Sequence, residues 1–119
     1  MRVLVCGGRT YWDKDYLFGT LDALYAFEDK SWTEIIQGGA MGADTLAFAW
    51  ATKNKIPCRV FHADWKQWGK AAGHIRNTQM LVQGKPDLVI AFPGGKGTAN
   101  MCQQAIAAGV RVLDIVPET

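Results

Sequence analysis

The stretch "VIAFPGGKGTANM", Val89–Met101, decides how this chain is read. An apolar run stops at Pro93. Gly94, Gly95 and Gly97 then surround Lys96, and Thr98 leads into residues with helical spacing. A buried strand that ends in so bare a loop and passes into a helix is one strand–helix unit of an α/β sheet. The bareness has two readings. Glycines are common in tight turns, or side chains are absent because an anion must reach the backbone, since glycine brings no Cβ into the way.

Working outward, four more apolar or β-branched runs flank this one. The strand candidates are Arg2–Cys6, Glu34–Gln37, Cys58–Phe61, Asp87–Phe92 and Arg111–Val116. Several are apolar nearly throughout instead of alternating, as expected of strands covered on both faces. Between them lie helical stripes: Leu17, Leu21, Leu24 and Tyr25 after the acidic start at Asp13 and Asp15; Leu46, Ala49 and Trp50 after Asp44; Ala72 and Ile75, in a helix expected to begin near Lys70; and Met101, Ala105 and Ile106. Gly109 is placed to end the last one as its C′ residue. Strict alternation predicts an α/β, Rossmann-like three-layer sandwich with a five-stranded parallel sheet flanked by helices. The length suits one domain over residues 1–119.

Composition removes several function classes. The formal charge is +2, from 13 basic and 11 acidic residues. That is too little for nucleic-acid binding driven by bulk charge, so a nucleic-acid partner is not expected. No run approaches the ~18 consecutive apolar residues of a membrane span. "MRVLVCGG" reads as a buried strand, not a signal peptide. Cys6, Cys58 and Cys102 are odd in number, widely spaced and without a CxxC pair, which fits a reduced, cytoplasmic setting. His62 and His74 belong to no Cys/His cluster, so no metal and no cofactor is expected.

The glycines fall where a parallel sheet binds ligands, beyond the carboxyl ends of its strands. Gly7 and Gly8, with Arg9, follow the first strand; Gly38, Gly39 and Gly42 follow the second; Pro93, Gly94, Gly95, Lys96, Gly97 and Thr98 follow the fourth. Each loop leads to a helix, whose free N–H groups carry roughly half a unit of positive charge. Thr98 can cap its helix or donate its hydroxyl to the same anion. Neither "GGAMG" nor "PGGKG" matches GxGxxG or a Walker A loop, so a standard dinucleotide or ATP site is not supported. "FHADWKQWGKAAGHIRNTQML" starts at the third strand's carboxyl end and should overhang the same face. Its Arg76 can fork onto a phosphate or carboxylate, or pair with Asp44 or Asp64. Asn77 stands beside it. Trp65 and Trp68 can stack on a base, cover the cleft or pack in the core.

These residues resemble a known superfamily. "QGGAMGAD", "AGHIRNTQM" and "AFPGGKGTANM" look like the SLOG group of Rossmann-like proteins, which includes the Lonely Guy cytokinin-activating enzymes and the lysine-decarboxylase-like proteins. The nearer likeness is to the small stand-alone SLOG branch related to bacterial YspA, through "CGGRTYWD", "GGAMGAD", "ADWKQWGKAAGHIRN" and "FPGGKGTANM". The likeness implies a nucleotide or nucleotide-derived small molecule as ligand. A homodimer is an expectation by analogy alone. In Lonely Guy enzymes an arginine and a glutamate serve hydrolysis of the base–ribose bond of a nucleoside 5′-monophosphate. The arginine carries over to Arg76. The glutamate does not, because Met101 stands in its place and the neighbouring Asn100 is not ionisable. A ribosyl-cation-like transition state calls for a carboxylate, and Asp44, Asp64 and Asp13 are the ones expected near this face. Two functions therefore stay open: a sensor or ligand-binding module, and an N-glycosidic hydrolase or transferase of the phosphoribohydrolase type using Arg76 with Asp44 or Asp64.

Overall fold

Every strand of the sheet runs the same way, in the order β3-β2-β1-β4-β5. The strands are β1 Arg2–Cys6, β2 Glu34–Gln37, β3 Cys58–Val60, β4 Leu88–Ala91 and β5 Arg111–Asp114. Between them run α1 Lys14–Phe27, α2 Ala43–Lys53, α3 Trp65–Trp68, α4 Ala72–Val82 and α5 Lys96–Ala107, with a 3-10 turn over Gly69–Ala71. The computed structural model describes residues 1–117.

Successive residues of a strand point to opposite faces, so a strand covered twice must be apolar at every position. Val3, Val5, Ile35, Leu88 and Ile90 face Leu17 and Leu21 of α1 and Leu46 and Trp50 of α2. Leu4, Cys6, Ile36, Val89 and Ala91 face Met80 of α4 and Met101 and Ala105 of α5. These two clusters are the cores of a three-layer sandwich, and each buried Leu or Ile contributes about 1.5–3 kcal/mol. Trp50 lies in the first core against Trp32 and Tyr25, with ring centroids 5.6 and 5.5 Å away.

Several expectations need correcting. β3 and β5 are shorter than their apolar runs suggest and only partly buried, because they are the sheet's edges and each pairs on one side only. β4 is likewise trimmed to Leu88–Ala91. Ala49 and Ile106 are exposed instead of core. α2 buries Ala43, Leu46, Ala47, Trp50 and Ala51, a helical stripe that leaves Ala49 outside. α5 buries Met101 and Ala105, and Ile106 lies well round the helix from that face. The helix expected near Lys70 is the 3-10 turn followed by α4, and the separate turn α3 precedes it. α5 begins at Lys96 with Gly95 as its N-cap, so Thr98 lies inside the first turn and does not cap it. Its other end matches expectation. Gly109 has φ +78°, Gly109 N–H donates to Ile106 O and Val110 N–H to Ala105 O, the paired bonds of a Schellman stop.

Strand order reverses between β1 and β4, whose register aligns Cys6 with Ala91. The loops after them therefore emerge side by side and diverge to helices on opposite faces. Gly8 N–H donates to Pro93 O at 2.9 Å and ties the two loops together. A crevice at this point is where such sheets hold ligands.

Candidate functional site

A cleft of about 690 Å³ opens there. Its wall comes from Gly7–Tyr11 after β1, from Ala40 and Asp44 at the start of α2, from α4, and from Pro93–Thr98 after β4. Four permanently cationic side chains line it, Arg9, Lys70, Arg76 and Lys96, against one carboxylate, Asp44. Electrostatics therefore favours an anion.

The helix ends sort by whether a side chain satisfies them. α1 is capped by Asp13, whose carboxylate accepts from Tyr16 N–H at 3.2 Å. α3 is capped by Asp64, which accepts from Gln67 N–H at 3.1 Å. α2 and α5 start at Gly42 and Gly95 with no side-chain cap. The first-turn residues of α5, Lys96, Gly97 and Thr98, line the cleft. The first intrahelical acceptor, Gly95 O, is taken by Ala99 N–H, so the three amides before it lack a helical partner. Uncapped amides pointing to a cationic cleft make a phosphate seat.

The glycines divide by task. At Gly95 and Gly97 an added Cβ would meet nothing within 4 Å, so both are open towards ligand space. Gly42 combines φ +75° with a Cβ position that would strike Gly8 O and, at 2.6 Å, Arg9 O. It lets the loop after β2 pack backbone to backbone on the loop after β1, where Ala43 N–H donates to Gly8 O at 3.2 Å. Gly38, Gly39 and Gly42 do not themselves line the cleft. Gly38 instead makes room for the Arg76 guanidinium, which donates through Nη1 to Gly38 O at 2.6 Å.

Arg76 is held on a second side by Asn77, whose Oδ1 accepts from Arg76 Nε at 3.1 Å. Asn77 is only 3% exposed. Its Nδ2 donates to Gly97 O at 3.2 Å and to Asn100 Oδ1 at 3.1 Å. Both polar ends of Asn77 are thus used to tie Arg76 to the first turn of α5, a positioning duty instead of direct ligand contact. Gln104 Nε2 donates to Asn100 Oδ1 at 2.8 Å and carries the network on. Burial holds the Arg76 pKa below its usual value, an effect partly offset by the nearby Asp44 carboxylate. Arg76 forms no ion pair with Asp44 or Asp64 among the described residues.

Asp44 is 6% exposed. Its Oδ2 accepts from Gly38 N–H at 3.2 Å and Ala40 N–H at 3.1 Å. Desolvation lifts its pKa to about 6, against the lowering effects of the Ala40 amide, Arg76 and the Gly38 amide. It is the one expected carboxylate that reaches the cleft, since Asp13 and Asp64 are occupied as caps and lie outside its wall. Met101 lines the floor, buried beside Met80. Trp65, 48% exposed, lines the cleft and carries the Arg9 guanidinium 4.9 Å above its ring. Trp68 lies outside the cleft wall.

Lys70, Tyr11, Asn100 and Gln104 complete the wall and its bracing, and none was singled out from sequence. Lys70 alone carried a signal, as a cation between two glycines in the overhanging segment. The others depend on contacts between distant residues. Among the described residues no group of three or more His, Cys, Asp or Glu could hold a metal, and no helix is long and apolar enough to cross a membrane.

Comparison with known proteins bears on what fills this cleft. Residues 1–68 match the family described as YspA, cpYpsA-related SLOG. The chain is also 33% identical over 121 residues to the "Gene 61 protein" of Mycobacterium phage D29, covering 95% of this chain and 94% of that protein.

Proposed function

The chain belongs to the YspA, cpYpsA-related SLOG family, and from that premise we propose that it binds a nucleotide or nucleotide-derived ligand in the cleft between the loops after β1 and β4. The observation that carries this reading is the N-terminus of α5: uncapped, opened by Gly95 and Gly97, and facing four cationic side chains. A phosphate seated there would accept from the first-turn amides and from Arg76, whose Nη1 and Nε are already anchored and whose Nη2 has no partner among the described residues. Asn77 holds that arginine and the amide seat in one frame, so the site is preorganised and little entropy is lost on binding. Trp65, fixed by Arg9, offers an aromatic face to a base. The protein then acts as a ligand-binding or sensing module.

A second reading, hydrolysis or transfer at the base–ribose bond, is favoured by one observation. Asp44 is a cleft-lining carboxylate near Arg76 with its pKa raised to about 6, close to where a general base works best at neutral pH. Met101 supplies no charge for the role that a glutamate has in Lonely Guy enzymes. The two readings separate in one assay. The protein is incubated with a panel of nucleoside 5′-monophosphates and free base is sought by mass spectrometry, with Arg76→Ala alongside. Intact nucleotides together with measurable binding support the module. Base release by the wild type and not by Arg76→Ala supports the hydrolase. Neither binding nor release sinks both.

A further inference from the structure

Cys6 and Cys102 sit far apart in the sequence but share the second core, Cys6 at the end of β1 and Cys102 on α5. Their thiols lie within hydrogen-bonding reach of each other. The two sulfurs differ in access. Cys6 is buried beneath the main cleft. Cys102 is partly exposed and lines a second cavity of about 460 Å³, on the other side of the Pro93–Gly95 loop, with Thr98, Gln103 and Asp114. Neither thiol has a part in the nucleotide reading above. From this juxtaposition we infer that Cys102 and Cys6 form a peroxide-responsive thiol pair, with Cys102 the thiol that reacts and Cys6 the one that resolves it into an intramolecular disulfide.

The chemistry follows from the contact. The hydrogen bond from Cys6 lowers the Cys102 pKa to about 7, while that same contact, with burial, raises Cys6. A substantial fraction of Cys102 is therefore thiolate at neutral pH, and the thiolate is the nucleophile. With hydrogen peroxide as oxidant, the Cys102 sulfur attacks one oxygen. The S–O bond forms, the O–O bond breaks, the sulfur loses two electrons to the peroxide, and the leaving hydroxide takes a proton to become water. The Cys6 sulfur then attacks the Cys102 sulfenic sulfur. The S–S bond forms, the S–O bond breaks, and the leaving hydroxide departs as water with the Cys6 proton. In total, two thiols and one peroxide give one disulfide and two waters. Cys58 is a built-in control. It lies at the edge strand β3, accepts a hydrogen bond from Gln37 Nε2 at 3.8 Å, and burial raises its pKa. The bridge would join the residue before Gly7 to the second turn of α5, the two elements that carry the cleft.

The test needs no ligand and so stands apart from the nucleotide reading. The reduced full-length chain is treated with a small molar excess of hydrogen peroxide and its intact mass followed. A fall of about 2 Da is expected, reversed by dithiothreitol, with Cys6 and Cys102 joined in the non-reduced digest. The loss should persist in Cys58→Ser and vanish in Cys102→Ser, which replaces a partly exposed residue, and in Cys6→Ala, which avoids burying a hydroxyl. Because the bridge closes a loop of nearly the whole chain, the oxidised form should unfold at a higher temperature than the reduced one. A gain of oxygen on Cys102 without a bridge, a bridge through Cys58, or a peroxide-inert chain overturns the inference.

Discussion

Gly95→Val separates the ligand seat from the fold. At this position φ is −103° and ψ −142°, an extended backbone open to residues other than glycine, and an added Cβ meets no atom within 4 Å. The fold should therefore register the change as an ordinary surface substitution, within about 0.5 kcal/mol, or a melting shift under ~4 °C. The ligand should register it differently, because the isopropyl group stands before the uncapped amides of Lys96–Thr98. Losing two charge-assisted hydrogen bonds costs about 1.5–3 kcal/mol each, together at least a ~100-fold rise in Kd. Calorimetric titration with a nucleoside 5′-monophosphate, beside a thermal melt, reads both quantities. Gly94→Ala is the contrast. Its Cβ would strike Thr98 Oγ1 and lie 2.7 Å from Gly8 N, so this smaller change should cost about 1–3 kcal/mol of stability. A Gly95→Val protein that binds as tightly as the wild type would refute the claim that an anion rests on these amides.

Other consequences follow from the same geometry. Arg76→Ala should weaken binding of phosphorylated ligands by about ten- to a hundredfold and of bare nucleosides far less; equal losses in parallel titrations would remove Arg76 from the phosphate. Asn77→Ala leaves Arg76 Nε and Gly97 O without their partner, and chemical denaturation should show a loss of about 1–3 kcal/mol, with weaker nucleotide binding although Asn77 need not touch the ligand. Asp44 has its folded pKa raised from 3.8 to about 6, so below pH ~4 its contribution favours the folded state, and this is lost as pH rises to ~6. Integrated, the shift amounts to roughly 3 kcal/mol. The stability difference between wild type and Asp44→Asn should therefore move against the wild type between pH 4 and 6, then level off; a constant difference would show that Asp44 titrates normally.

How legible this was in the sequence differs element by element. β1 and β4 are apolar throughout because both sides are covered, and that pattern is visible without coordinates. β3 and β5 are apolar too, but their edge positions depend on strand order, which no local pattern records. The sequence shows where the bare loops lie but not why each glycine is there. Gly94 and Gly95 are adjacent and identical, yet one yields to a packed backbone and the other faces open space. Asp13, Asp44 and Asp64 looked alike as carboxylates near helix starts. Two proved to be caps, and only Asp44 turns its carboxylate to the cleft and its neighbouring amides. The partners of Arg76 and of Cys102, Gly38 and Cys6, come from other βα units and meet only in the folded chain.

The central claim is that an anion sits on the first turn of α5. Its most direct test is an amide NMR titration of the uniformly labelled protein with a nucleoside 5′-monophosphate. The largest shifts should fall on the amides of Lys96, Gly97 and Thr98, with Gly8 and the Arg76 side chain following, and should shrink sharply when the bare nucleoside replaces the nucleotide. Shifts centred elsewhere, or identical responses to nucleotide and nucleoside, would contradict the account.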